Sequence, residues 1–167
     1  MKPDLLIGLG NPLRGDDGVG AMLVEELVRQ EGEERSGRKV GAARWPGAAN
    51  LRTVHQLTPE LALAVAESGR VLFVDAWANP DRLEPWIEAL RPTPVTREAP
   101  PSASPGGHGW GPQALVALAE GLYNWRGEAA LLRVPAFAFP HGFAFSPALK
   151  QTLPAARTLI RQWRQGG

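Results

Sequence analysis

Residues 4–20, which read DLLIGLGNPLRGDDGVG, carry the pattern that decides the fold. An apolar run at residues 5–7 stops in a glycine-rich stretch that ends at Gly18. Such a run followed by glycine, asparagine and proline is typical of a buried strand that ends in a tight loop. From Gly18 onward apolar residues recur at helical spacing, so the segment predicts a strand, a loop and a helix that runs into a charged turn over 31–38.

The rest of the chain repeats this alternation of strands and helices. The pattern predicts a weak strand at 40–45, a helix at 58–68, a strong strand at 71–74, a helix that opens at 111–113, an extended segment at 129–139 and a final helix from Ser146 to about Trp163. Five prolines within residues 91–107 predict a long loop. Strands that alternate with helices predict an α/β fold, a three-layer sandwich with a mainly parallel twisted sheet and helices on both faces.

Composition limits the class of function. The 167 residues hold 18 Lys and Arg against 17 Asp and Glu, so a net charge of +1 offers no basic field for nucleic acid and no patch for a membrane surface. The absence of cysteine excludes disulfides, thiolate metal sites and a cysteine nucleophile. Because no signal peptide and no apolar run long enough to span a membrane is visible, we expect one soluble, cytoplasmic domain over residues 1–167.

The loop after the first strand carries two adjacent acids, Asp16 and Asp17. A glycine-rich loop between a strand and a helix suggests a dinucleotide site, but Leu13 stands where the third glycine of that fingerprint belongs. Two carboxylates would also repel a pyrophosphate at the start of the helix. One of them is expected to cap the helix, where an acid is favourable, and the other to bind a ligand or take part in catalysis.

Asp75 and His108 are the other candidates for chemistry. Asp75 follows four apolar strand residues, at the sheet edge where parallel sheets bind ligands, although an Asp there can also simply turn the chain. His108 lies between the proline-rich loop and a helix start, whereas His55 lies in a polar stretch and His141 in a turn. Two carboxylates and one imidazole suit a divalent metal ion with open positions, but spacing alone does not bring the three together.

At these residues the chain resembles the nickel–iron hydrogenase maturation endopeptidases. Residues 8–20 match the family's opening Gly-x-Gly-Asn loop with its two acids, and residues 142–149 resemble its later segment around a serine. The resemblance covers nearly the whole chain. It implies that Asp17, Asp75 and His108 are both the metal-binding and the catalytic residues.

The same resemblance implies an activity and a partner. The enzyme would remove the C-terminal extension of a hydrogenase large-subunit precursor once nickel is installed, with no nucleic acid and no membrane insertion involved. The nickel would be supplied by the precursor, and other divalent ions would be able to occupy the same ligands. Asp17, Asp75 and His108 would engage that metal and orient the peptide bond for attack by water.

One departure from the family keeps alternatives open. Where many members carry an acid before a glycine turn, this chain has Trp45, although the glycine is kept at Gly47. A homologue of the same fold that binds a metal or a partner without cleaving it is therefore the second hypothesis, and a nucleotide-binding protein is the third. Trp77 and Trp110 are candidates for a docking surface, with core packing as the alternative.

Overall fold

The computed structural model describes residues 2–35, 49–78, 81–92 and 110–166. Within these ranges the chain forms five strands, four α-helices and one short 3-10 turn. The strands are β1 (Asp4–Leu9), β2 (Ala49–Val54), β3 (Arg70–Ala78), β4 (Trp86–Ala89) and β5 (Glu128–Ala136). The helices are α1 (Val19–Arg35), α2 (Leu61–Ala66), α3 (Pro112–Tyr123) and α4 (Pro147–Arg164), and a short 3-10 turn covers Gly15–Gly18.

The described strands form one sheet in the order β2-β1-β3-β5-β4. All neighbouring pairs are parallel except β4 and β5, which are antiparallel. Helices α2 and α3 pack on one face of the sheet, and α1 and α4 pack on the other. The three-layer α/β sandwich expected from the sequence is therefore confirmed.

Burial on both faces explains why β1 and β3 are continuous apolar runs. Leu5, Ile7 and Phe73 are fully buried on the side of α2 and α3, while Leu6 and Leu72 are fully buried on the opposite side. A strand covered on both faces has no solvent side, so it does not alternate apolar with polar residues. These continuous apolar runs are the pattern from which both strands were predicted.

Two helix starts agree with the sequence. Gly111 precedes Pro112 at the first position of α3, and Ser146 precedes Pro147 at the first position of α4. The Ser146 hydroxyl accepts a hydrogen bond from the Leu149 N–H, which is the N-cap expected of a serine there. The extended segment before α4 is also confirmed, as β5.

Several boundaries differ from the expectation. The helix α1 extends into the predicted charged turn as far as Arg35, because Glu, Gln and Arg are good helix formers, and residues 36–38 of that turn lie outside the described part. The helix α2 is shorter than 58–68 and begins at Leu61, since the preceding residues form tight turns in which the N–H groups of Leu61 and Ala62 bond to carbonyls three residues earlier. The strand β3 is longer than 71–74, because β5 pairs with it as far as Ala78.

Two strands were missed. The first, β2, begins after the expected strand at 40–45, and residues 36–48 lie outside the described part. The second, β4, has only four residues and adds to the sheet edge in the antiparallel sense. Such a short segment has too few residues for a period-two pattern to stand out.

The order of the strands fixes where a ligand can bind. From β1 the chain passes through α1 to β2, and from β3 it passes to β4 and β5 on the other side of the sheet. The direction of winding therefore reverses between β1 and β3. Parallel sheets of this kind bind ligands at such a reversal, outside the carboxyl ends of the strands. Separately, none of the described helices is long and apolar enough to cross a membrane.

Candidate active site

A tight loop places Asp17 at the carboxyl end of β1. Gly10 adopts a φ of 121°, and a Cβ at this position would collide with the carbonyl oxygen of Asp17. Only glycine allows the chain to fold back so closely. The Asn11 N–H then donates a hydrogen bond of 2.8 Å to Asp17 Oδ2, which orients the carboxylate. Asp17 remains partly exposed, so its carboxylate is available to a ligand.

The preceding acid, Asp16, is fully buried and has a structural role. Its carboxylate accepts hydrogen bonds from the N–H groups of Phe137, Ala138 and Ser146 and from the Ser146 hydroxyl, over 2.7 to 3.0 Å. Burial raises the pKa of Asp16, but these hydrogen bonds outweigh it and hold the pKa below its ordinary value. Asp16 therefore ties the loop after β1 to the chain between β5 and α4.

The expectation that one of the two acids caps the helix is not met by Asp16. The side chain of Asp16 contacts the chain after β5 and the start of α4, and the 3-10 turn that contains it has no side-chain N-cap hydrogen bond. The carboxylate was expected to cap its own helix, and instead it satisfies donors that are distant in sequence. Sequence spacing could not show this, because the partners are 121 to 130 residues away.

Asp75 lies beside β1 but within β3, so the expectation that it ends the strand needs correction. The pairing of β1 with β3 stops at Gly8 and Val74, one residue before Asp75, while β5 continues along β3 to Ala78. Asp75 is therefore at the carboxyl end of the sheet on the β1 side only. This is the side on which the loop carrying Asp17 lies.

The electrostatics show that Asp75 and Asp17 are near neighbours. Burial raises the pKa of Asp75, and the negative charge of Asp17 adds to this rise, so that the pKa is about 6. The Ala76 N–H and the Arg133 guanidinium oppose this rise. The structure thus brings together two of the residues chosen from the sequence, close enough for the charge of Asp17 to disfavour ionisation of Asp75. Such a pair is suited to bind a cation.

Arg133 forms the wall next to Asp75. The two residues are opposite each other in the β3–β5 ladder, and Arg133 donates a hydrogen bond of 2.6 Å to Glu88 on β4. The guanidinium also lies over the Trp77 ring, 4.2 Å from its centroid. Glu88 and Trp77 therefore fix the arginine in a place where it partly offsets the charge of Asp75.

Aromatic rings continue this wall toward the sheet edge. The Trp77 and Trp86 rings meet edge to face with centroids 6.1 Å apart, and Arg82 lies 4.5 Å above the Trp86 ring. Both tryptophans are partly buried, so core packing explains much of their role. The indole nitrogen of Trp77 is shut off from solvent and has no acceptor within the described residues.

His108 falls in residues 93–109, outside the described part, so its role as third ligand remains a prediction. The described neighbour on its C-terminal side, Trp110, forms an antiparallel bridge with Leu57 and packs against the core under α2 and α3. His55 and His141 are exposed. Within the described ranges no three His, Cys, Asp or Glu residues are grouped to hold a metal ion. Trp45 and Gly47 also lie outside those ranges.

Sequence reasoning missed Arg133 and Glu88, although one of them left a signal. Arg133 interrupts the otherwise apolar run of β5, and a charge within a buried strand usually has a specific partner. Glu88 left none, because β4 itself was not predicted.

Comparison with solved structures identifies the fold. The nickel–iron hydrogenase maturation protease HycI from Thermococcus kodakarensis KOD1 superimposes with a TM-score of 0.65 at 15% identity, over 98% of this chain and 93% of that one. The hydrogenase maturating endopeptidase HybD from E. coli gives a TM-score of 0.61 at 17% identity, over 99% and 94% of the two chains. The chain has the fold of the hydrogenase maturation proteases.

A further solved structure shares this fold, although its sequence identity to this chain is low. A hydrogenase 2 maturation peptidase from Thaumarchaeota archaeon SCGC_AB-539-E09 is 18% identical, with a TM-score of 0.60 over 96% of this chain and 97% of its own. No family model and no curated protein matches the sequence. This chain therefore shares the three-dimensional fold of these proteases over almost the whole length of each chain.

Proposed function

We propose that this protein is an endopeptidase that removes a C-terminal extension from the large-subunit precursor of a nickel–iron hydrogenase in the cytoplasm. The observation that carries the proposal is the pair of carboxylates, Asp17 and Asp75, at the winding reversal of the sheet. The fold is shared with hydrogenase maturation proteases of closely similar length. The motif of residues 8–20 supports the same activity.

The two carboxylates supply oxygen ligands for a divalent ion carried by the substrate. Carboxylates within reach of each other repel when both are ionised, and a cation between them removes that repulsion. With nickel in the precursor, Asp17 and Asp75 would engage the metal from the protease side, and His108 would complete the set. Engagement of the metal would then select precursors into which nickel has already been inserted.

Cleavage requires that the peptide bond be held near the metal and that its carbonyl be polarised. A metal ion stabilises the negative charge that develops on the carbonyl oxygen when water attacks. In this protein the Asn11 N–H holds Asp17, and the wall of Arg133 and Glu88 lies beside Asp75. These contacts fix the geometry before the substrate arrives, which is what catalysis by orientation needs.

A processing assay tests the proposal. The purified protein is mixed with nickel-loaded or nickel-free precursor of a hydrogenase large subunit from the same organism, and the mass of the C-terminal product is followed. We expect cleavage of the nickel-loaded form alone. Asp17→Asn and Asp75→Asn should each reduce the rate by at least about 100-fold, because each loses a charged ligand.

A matched control separates a local from a general effect of removing an acid. Glu67→Gln removes an exposed carboxylate at the end of α2, next to the start of β3, and should process at the wild-type rate. Binding of the nickel-loaded precursor without cleavage would contradict the proposal and favour the non-cleaving homologue. Full activity of Asp17→Asn would contradict the assignment of the site.

A further inference from the structure

We propose that the loops after β1 and β5 form a docking platform for the folded body of the precursor, the part that surrounds its metal. The platform consists of the exposed side chains of Leu13, Phe137 and Phe143. This inference rests on the proposed function, because the platform and Asp17 share a loop. It adds an apolar interaction surface to the two carboxylates, and so a means of holding the protein substrate.

Large apolar side chains are exposed on these two loops, which cover residues 10–18 and 137–146. Phe143 is 73% exposed, Leu13 is 49% exposed and Phe137 is 37% exposed. Single exposed apolar residues are ordinary on protein surfaces, but a group of them marks a site of interaction. Aromatic side chains in particular are enriched where proteins bind each other. The loops therefore present to solvent the kind of side chain that an interface buries.

The loop after β5 is anchored to the core, so loose packing does not explain why two of its phenylalanines are exposed. Phe139 and Phe145 are partly buried and pack against the core beneath α1 and α4. Phe137 and Phe143, from the same loop, are left exposed. Directly before Phe143, Gly142 adopts a φ of 126°, a conformation that other residues rarely adopt. The backbone therefore determines where the Phe143 side chain is held.

Backbone hydrogen bonds join the two loops to each other. The Gly142 N–H donates to the Leu13 carbonyl over 2.8 Å, and the Gly15 N–H donates to the Gly142 carbonyl over 2.9 Å. The Asp16 carboxylate adds a further connection, because it accepts a hydrogen bond from the Phe137 N–H. The three side chains of the platform are thus carried by one interlocked unit. A surface that is ordered beforehand loses little conformational freedom when a partner binds.

The same unit holds Asp17. The Asn11 N–H donates to the Asp17 carboxylate, and the Asn11 side-chain carbonyl accepts a hydrogen bond of 2.9 Å from the Leu13 N–H. Asn11 therefore fixes Asp17 and Leu13 relative to each other. Gly15, which bonds to the loop that carries Phe143, is two residues from Asp17, so at most about 7 Å separates their Cα atoms. A partner whose metal reaches Asp17 therefore comes close to the platform as well.

The proposed chemistry favours the body of the precursor over its extension as the occupant. A metal ion lies on the order of 2 Å from a carboxylate ligand, so engagement brings the Asp17 loop against whatever holds the metal. In the precursor the metal is held by the body, and the extension is only the chain that is cut. The body is therefore the part that must contact the loop. Apolar contact would give this docking an affinity that does not depend on charge.

The first test truncates the platform and measures processing of nickel-loaded precursor. Phe143→Ser should raise KM at least about tenfold and Leu13→Ser about fivefold, because truncation of a buried interfacial side chain weakens binding, most of all for an aromatic one. The kcat should stay within about twofold, since Asp17 and Asp75 are unchanged. Phe143→Leu keeps an apolar side chain and should raise KM by no more than about threefold. Thermal melts should show all three variants folded, as both side chains are exposed.

The matched control is an exposed leucine at the other end of the sheet. Leu122 lies near the end of α3, which leads to the start of β5, and it is 65% exposed. Leu122→Ser removes at least as much exposed apolar surface as Leu13→Ser and should keep KM within about twofold of wild type. An equal rise in KM for Leu122→Ser would reveal a general effect of losing an exposed apolar side chain, and it would overturn the platform.

The second test determines which part of the precursor the platform holds. A precursor whose extension has its apolar residues replaced by serine is compared with the natural precursor, both loaded with nickel. The affinity of the substituted precursor is measured as an inhibition constant against the natural one, so it need not be cleaved itself. If the body docks, Phe143→Ser should weaken binding of both precursors by the same factor, since the two changes affect separate contacts. A loss confined to the natural precursor would assign the platform to the extension and overturn the proposal.

The outcomes separate the inference from the function on which it rests. If wild-type protein processes the precursor but Phe143→Ser and Leu13→Ser keep the wild-type KM, the platform is wrong and the endopeptidase stands. If wild-type protein does not cleave nickel-loaded precursor, the proposed function is contradicted and the platform with it. A rise in KM at constant kcat, together with an equal loss for the two precursors, supports both.

Discussion

Asp16 and Asp75 are acids at the same end of the sheet, in surroundings that treat their charge in opposite ways. The Asp16 carboxylate is surrounded by donors from Phe137, Ala138 and Ser146, and its pKa is lowered despite complete burial. The pKa of Asp75 is raised to about 6 by burial and by the charge of Asp17, with little hydrogen bonding to oppose it. The Asp16 carboxylate therefore accepts several hydrogen bonds from the protein, whereas the Asp75 carboxylate accepts few.

The difference separates an acid that holds the fold from one that is available to a ligand. A carboxylate with all its donors supplied by the protein gains nothing from a cation. A carboxylate that is desolvated and faces another negative charge gains a great deal. The comparison therefore assigns Asp16 to the scaffold, and it supports the proposal that Asp17 and Asp75 bind a ligand.

The largest expected effect is on the stability given by Asp16. Asp16→Asn should lower the free energy of unfolding by about 3–5 kcal/mol, because buried N–H groups lose their acceptor and the new amide faces donors. Urea denaturation followed by circular dichroism measures it. Asp17→Asn, which loses a single part-buried hydrogen bond from Asn11, should cost no more than about 1 kcal/mol. Equal losses in the two variants would break the comparison.

The second prediction concerns the pH dependence of stability. Here the substitution of an acid, Asp75, is expected to stabilise the protein, whereas that of Asp16 destabilises it. The folded pKa of Asp75 lies above its ordinary value, so the unfolded chain loses its proton first as pH rises from about 4 to 6, and wild type loses stability over that window. Asp75→Asn removes this penalty. Relative to wild type it should gain about 2–3 kcal/mol between pH 3 and pH 7, in line with a shift from 3.8 to about 6. A difference that does not change with pH would show that Asp75 is not desolvated in the folded protein.

A third prediction sharpens the account of the donors around Asp16. Ser146→Ala removes the hydroxyl that donates to Asp16 and caps α4, but keeps the Ser146 N–H. The expected loss is about 1–2 kcal/mol in urea denaturation. Thr158→Ala, which removes an exposed hydroxyl from the same helix, is the control and should stay within about 0.5 kcal/mol. A larger loss at Thr158 than at Ser146 would contradict the role of the cap.

The smallest effect is expected on the wall beside Asp75. Trp77→Phe keeps a ring under Arg133 and deletes an indole N–H that has no acceptor among the described residues, so its unfolding free energy should stay within about 0.5 kcal/mol of wild type. Trp125→Phe is the matched opposite, since the Trp125 N–H donates a buried hydrogen bond of 2.8 Å to the Ser68 carbonyl. It should cost about 1–3 kcal/mol in the same denaturation assay. If the two variants behave alike, the Trp77 donor has a partner in solution.

Much of the fold was predictable because its central strands are buried on both faces. The runs that became β1 and β3, and the proline-marked starts of α3 and α4, are local signals that survive without tertiary context. The strands β2 and β4 were not predictable, since their short sequences become strands only when a neighbour pairs with them. The extension of β3 to Ala78 has the same cause, because β5 supplies its partner.

The candidate site was predictable in its residue types and only partly in its arrangement. Asp17 and Asp75 follow the apolar runs that marked β1 and β3 in the sequence, so both could be chosen as candidates from the sequence. Which of the two adjacent acids is structural depended on donors more than 120 residues away. The contribution of His108 was argued from the sequence and is still a prediction.

By itself the sequence determined the class of fold. The apolar runs, and the glycine and proline residues that end them, follow from burial and backbone chemistry that act locally. It also determined which acidic residues were candidates for ligand binding or catalysis, namely Asp16, Asp17 and Asp75. Only the tertiary structure decided that Asp16 is surrounded by donors while Asp75 has few, and that the β3–β5 ladder is longer than the β1–β3 ladder. Those properties depend on groups that meet only after folding, since desolvation, hydrogen bonding and strand pairing are set by neighbours in space.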